Sequence, residues 1–432
     1  MSRTESSEIP QLDPARLRKA RFATFFGFFQ LGVVVFAWST GTSPLRTHLG
    51  IDGAGGDAAF GLLALAIGIG AAVGCFGVGP VLDRLGPRRV VSVCLVLFPL
   101  SVIPLAYVTG FAAAFACGLL MGVTRGAVDT AANAHGVEVE RHYGRPIMSA
   151  FHAAYPAGGF VSGLLGSALA SRFTDSPAVS FTLIGVTMAV CGAVISRWLL
   201  TPAELLPRHA TVTEIPSGSR PHGTATVTAV MVGFGVLLLA AMLAEGAPVD
   251  WGQEFVRRGL DTSTAAAAFA VTLYSGALFV GRVFGDRLAL AFGPRRTVLA
   301  CSLTALVGFV LISTADSLTP VYVGFVVLGL GMSIIAPLML SSAGRIDSAN
   351  AGRNLGIVNG IGYSGLLIGP AAITAVVDGA GLSWMAVVPF ALIVVVAVAG
   401  PLLMRFAPVF RARPDAAAPT GPRHREPARH TD

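Results

Sequence analysis

Charge is what this sequence has least of: Asp, Glu, Lys and Arg make up 12% of its 432 residues, against 54% hydrophobic residues. The mean hydropathy of +0.72 excludes a water-soluble domain of this size and requires a bilayer to take up the apolar surface. Cysteine is also scarce. Cys75, Cys94, Cys117, Cys191 and Cys301 fall singly inside apolar segments, with no Cys-x-x-Cys pair and no histidine at metal-ligand spacing beside them. That excludes a disulfide framework and a zinc site, and no cofactor is expected. No basic run carries interleaved aromatics, so the formal charge of +7 does not point to nucleic acid. The first 21 residues lack an apolar signal-peptide core, so the first apolar segment reads as an uncleaved membrane helix.

What the sequence does have is a succession of long apolar runs. A hydrocarbon core about 30 Å thick is crossed by a helix of about 20 residues. Twelve such spans fit, at 22–45, 58–82, 89–108, 110–135, 147–171, 178–200, 224–249, 263–284, 297–314, 320–344, 354–377 and 383–406. The expected fold class is therefore an all-α integral membrane protein with both termini on one side. Positive charge is retained in the cytoplasm. With the termini inside, 25 of the 30 Lys and Arg residues fall inside, Arg46, Arg172, Arg257 and Arg258 fall outside, and Arg125 lies within a span. Both termini are expected to be cytoplasmic.

The chain also repeats itself. Gly86-Pro87-Arg88-Arg89 recurs as Gly293-Pro294-Arg295-Arg296 after 207 residues; Gly144-Arg145 recurs as Gly352-Arg353 and Tyr155 as Tyr363, each after 208. A near-constant offset implies duplication of a six-helix unit. The expected organisation is an N-terminal segment (1–21), a six-helix bundle (22–200), a linker rich in Pro, Thr, Ser, Arg and His (201–223), a second bundle (224–410) and a disordered tail (411–432).

Ionisable side chains within a span cost about 2.5 to 3.5 kcal/mol each on insertion scales, so each is a candidate functional residue. Arg125, Asp129 and Asn133 are spaced i, i+4, i+8 and share one helical stripe. Two readings stand side by side. The residues are a neutralised pair that glues helices together, or a cavity wall in which Asp129 takes a proton and Arg125 meets a polar solute. His152 and Tyr155, at i and i+3 on the fifth span, fit the same depth as core or as cavity residues. Glu245 lies near the outer end of the seventh span, where burial suits it to proton exchange and exposure at the mouth would leave it without a role. Gln30 with Trp38, and Asn359 with Tyr363, offer amide-plus-ring pairs of the kind that bind sugars and cyclitols, or they are packing residues. His135, Glu138, Glu140 and His142 superficially resemble a metal cluster, but their spacing is not His-Glu-x-x-His and their charges suit a loop, so an intramembrane enzyme is not expected.

Gly79, Asp83, Arg84, Gly86, Arg88 and Arg89 resemble the loop motif that major facilitator transporters carry between helices 2 and 3. The segment from Gly281 to Arg296, with Asp286 and Arg287, is similar to its degenerate second copy. Pro87 stands where a basic residue is usual, and Gly118 where many drug exporters carry arginine. A narrower resemblance runs through Asn133–Glu140, Gly144–His152, Glu245-Gly246-Ala247 with Asp250-Trp251, and Gly362-Tyr363 with Gly369-Pro370. These segments are similar to the branch typified by the bacterial YbjJ and MosC membrane proteins. The resemblance implies two pseudo-symmetric six-helix bundles with a midplane solute site between them, in a monomeric carrier of the bacterial inner membrane. It implies proton-coupled movement of a sugar-like or cyclitol-like solute, with Asp129 and Glu245 as proton candidates and the two loops as a cytoplasmic gate. An exporter of amphipathic compounds, and a transport-dead sensor or scaffold, are the alternatives.

Overall fold

A computed structural model of the chain describes residues 12–143, 147–173, 176–205, 224–346 and 351–406. Every regular element among them is helical. The first half runs α1 (Pro14–Thr40), α2 (Thr42–Leu49), α3 (Asp57–Leu85), α4 (Pro87–Ser101), α5 (Phe111–Tyr143), α6 (Met148–Ala170) and α7 (Ala178–Ile195). The second runs α8 (Thr224–Asp250), α9 (Gly252–Gly259), α10 (Thr264–Phe292), α11 (Pro294–Thr314), α12 (Leu318–Met332), α13 (Ile335–Ile346), α14 (Ala351–Ala380) and α15 (Val387–Leu403). Eleven helical stretches among the described residues are long and apolar enough to span a bilayer, α12 and α13 counting as one. By its place in the order, α6, a 23-residue helix that carries His152, Tyr155 and Pro156, is the twelfth.

The duplication is written into the helix lengths. Both α1 and α8 have 27 residues, both α2 and α9 have 8, and both α3 and α10 have 29. Between α3 and α4 the chain turns at Gly86 with φ 78° and ψ 156°, and between α10 and α11 at Gly293 with φ 78° and ψ 155°. Only glycine adopts that geometry without strain, and the proline that follows each is preset for the first helical position. Thus the repeated spelling of the two loops encodes one turn used twice. The first helix starts earlier than its apolar run, at Pro14, because the Asp13 carboxylate accepts from the Arg16 N–H at 3.2 Å and caps it.

Close approach of backbones holds each bundle together. A Cβ on Gly74 would strike the Val123 carbonyl and one on Gly126 the Ala71 carbonyl, so α3 and α5 touch main chain to main chain. Gly159 and Gly163 bring α6 against Ser275 and Thr272 of α10, in the other half. Gln30, expected in the solute cavity, is instead fully buried inside the N-terminal bundle. Its amide donates to the Leu95 carbonyl at 2.7 Å. The reason is Pro99: lacking an N–H, it leaves the carbonyl four residues back without a helical donor, and Gln30 supplies one from α1.

Candidate functional site

On α5, Arg125, Asp129 and Asn133 lie half-buried along one stripe. Asn133 Nδ2 donates to the Asp129 carbonyl at 2.9 Å and to Asp129 Oδ1 at 3.1 Å. The other carboxylate oxygen accepts from the Tyr363 hydroxyl at 3.3 Å, a bond that reaches from the first half to α14 of the second. Arg125 is different. Among the described residues its guanidinium has no hydrogen-bond or ion-pair partner, and its nitrogens are open to solvent. Such a cation within a span has to face a polar cavity. Asp129, Tyr155, Tyr363 and Asp250 all lie within its electrostatic reach. Tyr155 stands edge-on to Phe36 at 6.2 Å, and Asn359 occupies the turn of α14 before Tyr363. The structure therefore joins Asp129, Asn133 and Tyr363 by hydrogen bonds and brings Arg125 and Tyr155 within electrostatic reach of them.

Glu245, five residues before the end of α8, belongs to a neighbouring cluster. Its carboxylate pairs with Arg282 of α10 at 2.8 Å. Arg282, counted among the inner-loop charges from sequence, has its side chain only 10% exposed within the bundle. It also donates to the carbonyls of Ser333 and His152, both at 3.2 Å. The His152 ring leans against Phe28 with centroids 4.8 Å apart. Beside this cluster lies a cavity of about 650 Å³ lined by Phe22, Phe25, Phe26 and Phe29 of α1, alanines of α6, and Phe279 and Arg282 of α10.

At the end opposite the termini the two halves are sealed. Ser39 Oγ donates to the Val249 carbonyl at 2.5 Å, and Trp38 Nε1 to Asp250 Oδ1 at 3.4 Å. Trp38, expected in the cavity wall, is buried in this seal and stacks on Phe60, which meets Trp251 edge-on. Above the rings, α2 faces its repeat partner α9. The Gln253 amide accepts from Thr42 and Ser43 and donates to the Thr40 carbonyl, while Glu254 accepts from Ser43 and Arg257. Three ion pairs cross between the halves: Arg46–Glu254 at 3.7 Å, Asp57–Arg258 at 2.6 Å and Asp52–Arg257 at 3.7 Å.

The loop motif lies at the termini end. Gly86 makes the turn, Gly79 and Arg88 are half-buried, and Asp83, Arg84 and Arg89 are exposed. Arg287 is exposed and rests over Phe284 of its own helix at 5.9 Å, whereas the Asp286 side chain lies outside the described residues. The residues that superficially resembled a metal cluster serve the bundle's end. His135 bridges Thr24 and the Leu200 N–H, Glu140 accepts from the N–H groups of Ile147 and Met148 that open α6, His142 meets the Glu204 carbonyl, and Glu138 pairs with Arg141. Burial pushes the Glu204 carboxyl up, but bonds from Arg16 and Thr201 outweigh it and draw the group down to about 2.

Asp250 and Arg282 are the functional candidates that sequence reasoning passed over. Arg282 carried a signal, a charge inside the eighth span, which the topology tally absorbed.

With this geometry in hand, the family is decided by sequence. Residues 20–247 and again 226–430 match the Major Facilitator Superfamily. The chain belongs to this superfamily. Among similar members, an uncharacterized transporter of Sinorhizobium fredii is 28% identical over 80% of this chain and 88% of its own. An uncharacterized MFS-type transporter of Yersinia pestis is 29% identical over 81% and 87%, and the membrane protein MosC of Rhizobium meliloti 25% identical over 81% and 82%. Solved structures agree on the fold. The nucleoside transporter NupG superposes with a TM-score of 0.63 at 14% identity, covering 90% of this chain and 98% of NupG. A D-xylose–proton symporter gives 0.65 at 15% identity, covering 90% and 98%. A bacterial homolog of the human lysosomal transporter Spinster, in an inward-facing and unoccupied conformation, gives 0.68 at 12% identity, covering 92% and 98%. The chain is thus a multi-pass major facilitator transporter of two six-helix bundles.

Proposed function

We propose that the protein is a monomeric secondary active transporter of a bacterial inner membrane, with cytoplasmic termini, that moves a small polar, sugar-like or cyclitol-like solute with a proton by alternating access. The observation that carries this reading is the unpartnered Arg125 guanidinium beside the Asp129–Tyr363 bond between the halves. A cation with all its donors open invites a solute oxygen. The adjacent carboxylate, tied to the opposite half, is suited to exchange a proton as the halves part. Tyr155, Asn133, Asn359 and His152 supply further polar contacts, and Glu245 is the second proton candidate. The sealed end is then the outer one and the state inward-facing, with the Asp83 loops acting as the gate of the opposite state. The named transport activities of NupG and of the xylose symporter are consistent with a hydroxyl-rich solute.

The test is a thermal-shift screen of detergent-purified protein against sugars, cyclitols, nucleosides, organic acids and cationic drugs. A ligand at 100 times its Kd stabilises by about 2.7 kcal/mol. Stabilisation by a polar solute that is lost in Arg125→Gln supports the reading. The phenylalanine-lined cavity favours a second reading, export of an amphipathic compound, and stabilisation by lipophilic compounds alone would select it. In liposomes, Asp129→Asn should abolish accumulation driven by a pH gradient, and retained accumulation removes Asp129 from the proton path.

A further inference from the structure

Two bonds of one side chain reach a helix that contains a proline and a helix pair that is broken near one. In α6, Pro156 has no N–H, so the His152 carbonyl four residues earlier lacks its helical donor. In the second half, the chain breaks between α12 and α13 at Ser333 and Ile334, and Pro337 in the first turn of α13 leaves the Ser333 carbonyl in the same condition. Arg282 serves both. Its Nη1 donates to His152 and its Nε to Ser333, each at 3.2 Å, while Nη2 is held by Glu245 at 2.8 Å. Gly281 has no side chain to keep α10 off the break, since a Cβ there would collide with Ser333.

We propose that Arg282 is a positioning residue that joins two proline hinges, one in each half, and places both under control of the Glu245 carboxylate. A guanidinium has a fixed planar fork, so its three bonds cannot be adjusted one at a time. Whatever changes the hold of Glu245 on Nη2 therefore also disturbs the donors at His152 and Ser333. A carbonyl deprived of its donor within a membrane bundle seeks another, and the hinge bends to find it. Arg282 also lines the phenylalanine cavity, so the joint is reachable from the space beside it. A link of this kind turns a local event on α8 into a bend in α6 and in the α12–α13 pair. It depends on the bonds described here and not on the identity of the solute or of the coupling ion.

The test needs no solute. In a full-length protein whose five cysteines are replaced by alanine, spin labels on Leu85→Cys and Phe292→Cys, both exposed at the termini end, report the separation of the halves. The neutral pair Glu245→Gln with Arg282→Gln avoids stranding a charge. We expect it to lower the melting temperature and to shift the open-to-closed ratio by about tenfold, the lower end of the scale of a lost bond to a charged donor. In a Pro156→Ala, Pro337→Ala background the helices can supply their own donors. There the same neutral pair should leave the ratio within about twofold of its background and cost little in melting temperature. Arg258→Gln, at the far end, should have equal effects in both backgrounds. Equal effects of the neutral pair in the two backgrounds would overturn the proposal, as would rescue of melting without rescue of the distance ratio. The first outcome means that the proline-freed carbonyls are not what Arg282 serves, and the second that it braces the bundle without joining the hinges.

Discussion

The sealed end and the centre of the bundle use the same kinds of side chain to opposite ends. At the seal, Gln253 and Glu254 are fully buried, the Gln253 amide bonds to Thr40, Thr42 and Ser43 of the other half, and the Glu254 carboxylate is shared between Ser43 of the other half and Arg257 of its own helix. In the centre, Arg125, Tyr155 and Asn359 are half-buried, and none has a hydrogen-bond partner among the described residues. A polar group that is buried and paired closes a path, whereas one that is open and unpaired waits for a solute or water. Yet the seal is imperfect: buried Arg46 keeps Nε and Nη1 without hydrogen bonds.

The largest effect expected from this contrast is at the seal. Glu254→Ala takes an acceptor from Arg46, Arg257 and Ser43 at once, although Arg46 keeps Asp57 at 2.7 Å, and should cost about 3 kcal/mol in thermal or denaturant unfolding. In the centre the effect divides differently. Arg125→Gln removes no internal bond, so melting should change little while solute affinity, measured by titration, falls by about 10- to 100-fold, the worth of a hydrogen bond to a charged group. A melting loss at Arg125 equal to that at Glu254 would erase the contrast. Gln30 sharpens it, being a membrane-buried amide that serves the fold alone. Gln30→Leu should destabilise by about 1–3 kcal/mol with solute affinity unchanged, and Pro99→Ala should suppress most of that loss by restoring the helical donor.

The smallest effect belongs to the termini end, where Arg16 and Glu204 pair with about a fifth of each side chain exposed. The Glu204 pKa is depressed from 4.5 to about 2 on folding, so the pair contributes its full stabilisation above about pH 4.5 and loses it as pH falls toward 2. Glu204→Gln should remove that acid sensitivity at a cost of about 1 kcal/mol or less near neutrality, seen as a flatter melting profile against pH.

Most of the fold was legible because its signals are local or repeated. Apolar runs of bilayer length, the proline after each turn glycine and the 207-residue offset require no knowledge of which helix touches which. The α5 stripe was legible for the same reason, since i, i+4 spacing fixes a shared face wherever the helix packs. The misses are residues whose partner lies on another helix. Gln30 was read as a cavity amide, since nothing near it in sequence shows that Pro99 has freed a carbonyl opposite. Trp38 was offered as a stacking ring of the cavity or a packing residue, and its partners on α3 and α8 make it part of the seal. Arg282 was counted as a loop charge, because a positive residue near the end of a span looks the same whether it points to water or to a buried carboxylate. The tenth span was read as one helix although Pro337 divides it.

By itself the sequence determined that this chain lives in a bilayer, crosses it twelve times and consists of two copies of one unit, because hydrophobic length and repetition are properties of the chain. Tertiary structure decided which buried polar groups close the protein and which remain open. That choice depends on the donors and acceptors that neighbouring helices bring within about 3 Å. Arg125 and Arg46 are both arginines in apolar surroundings, and only the packing of the two halves makes one a candidate solute contact and the other part of a seal.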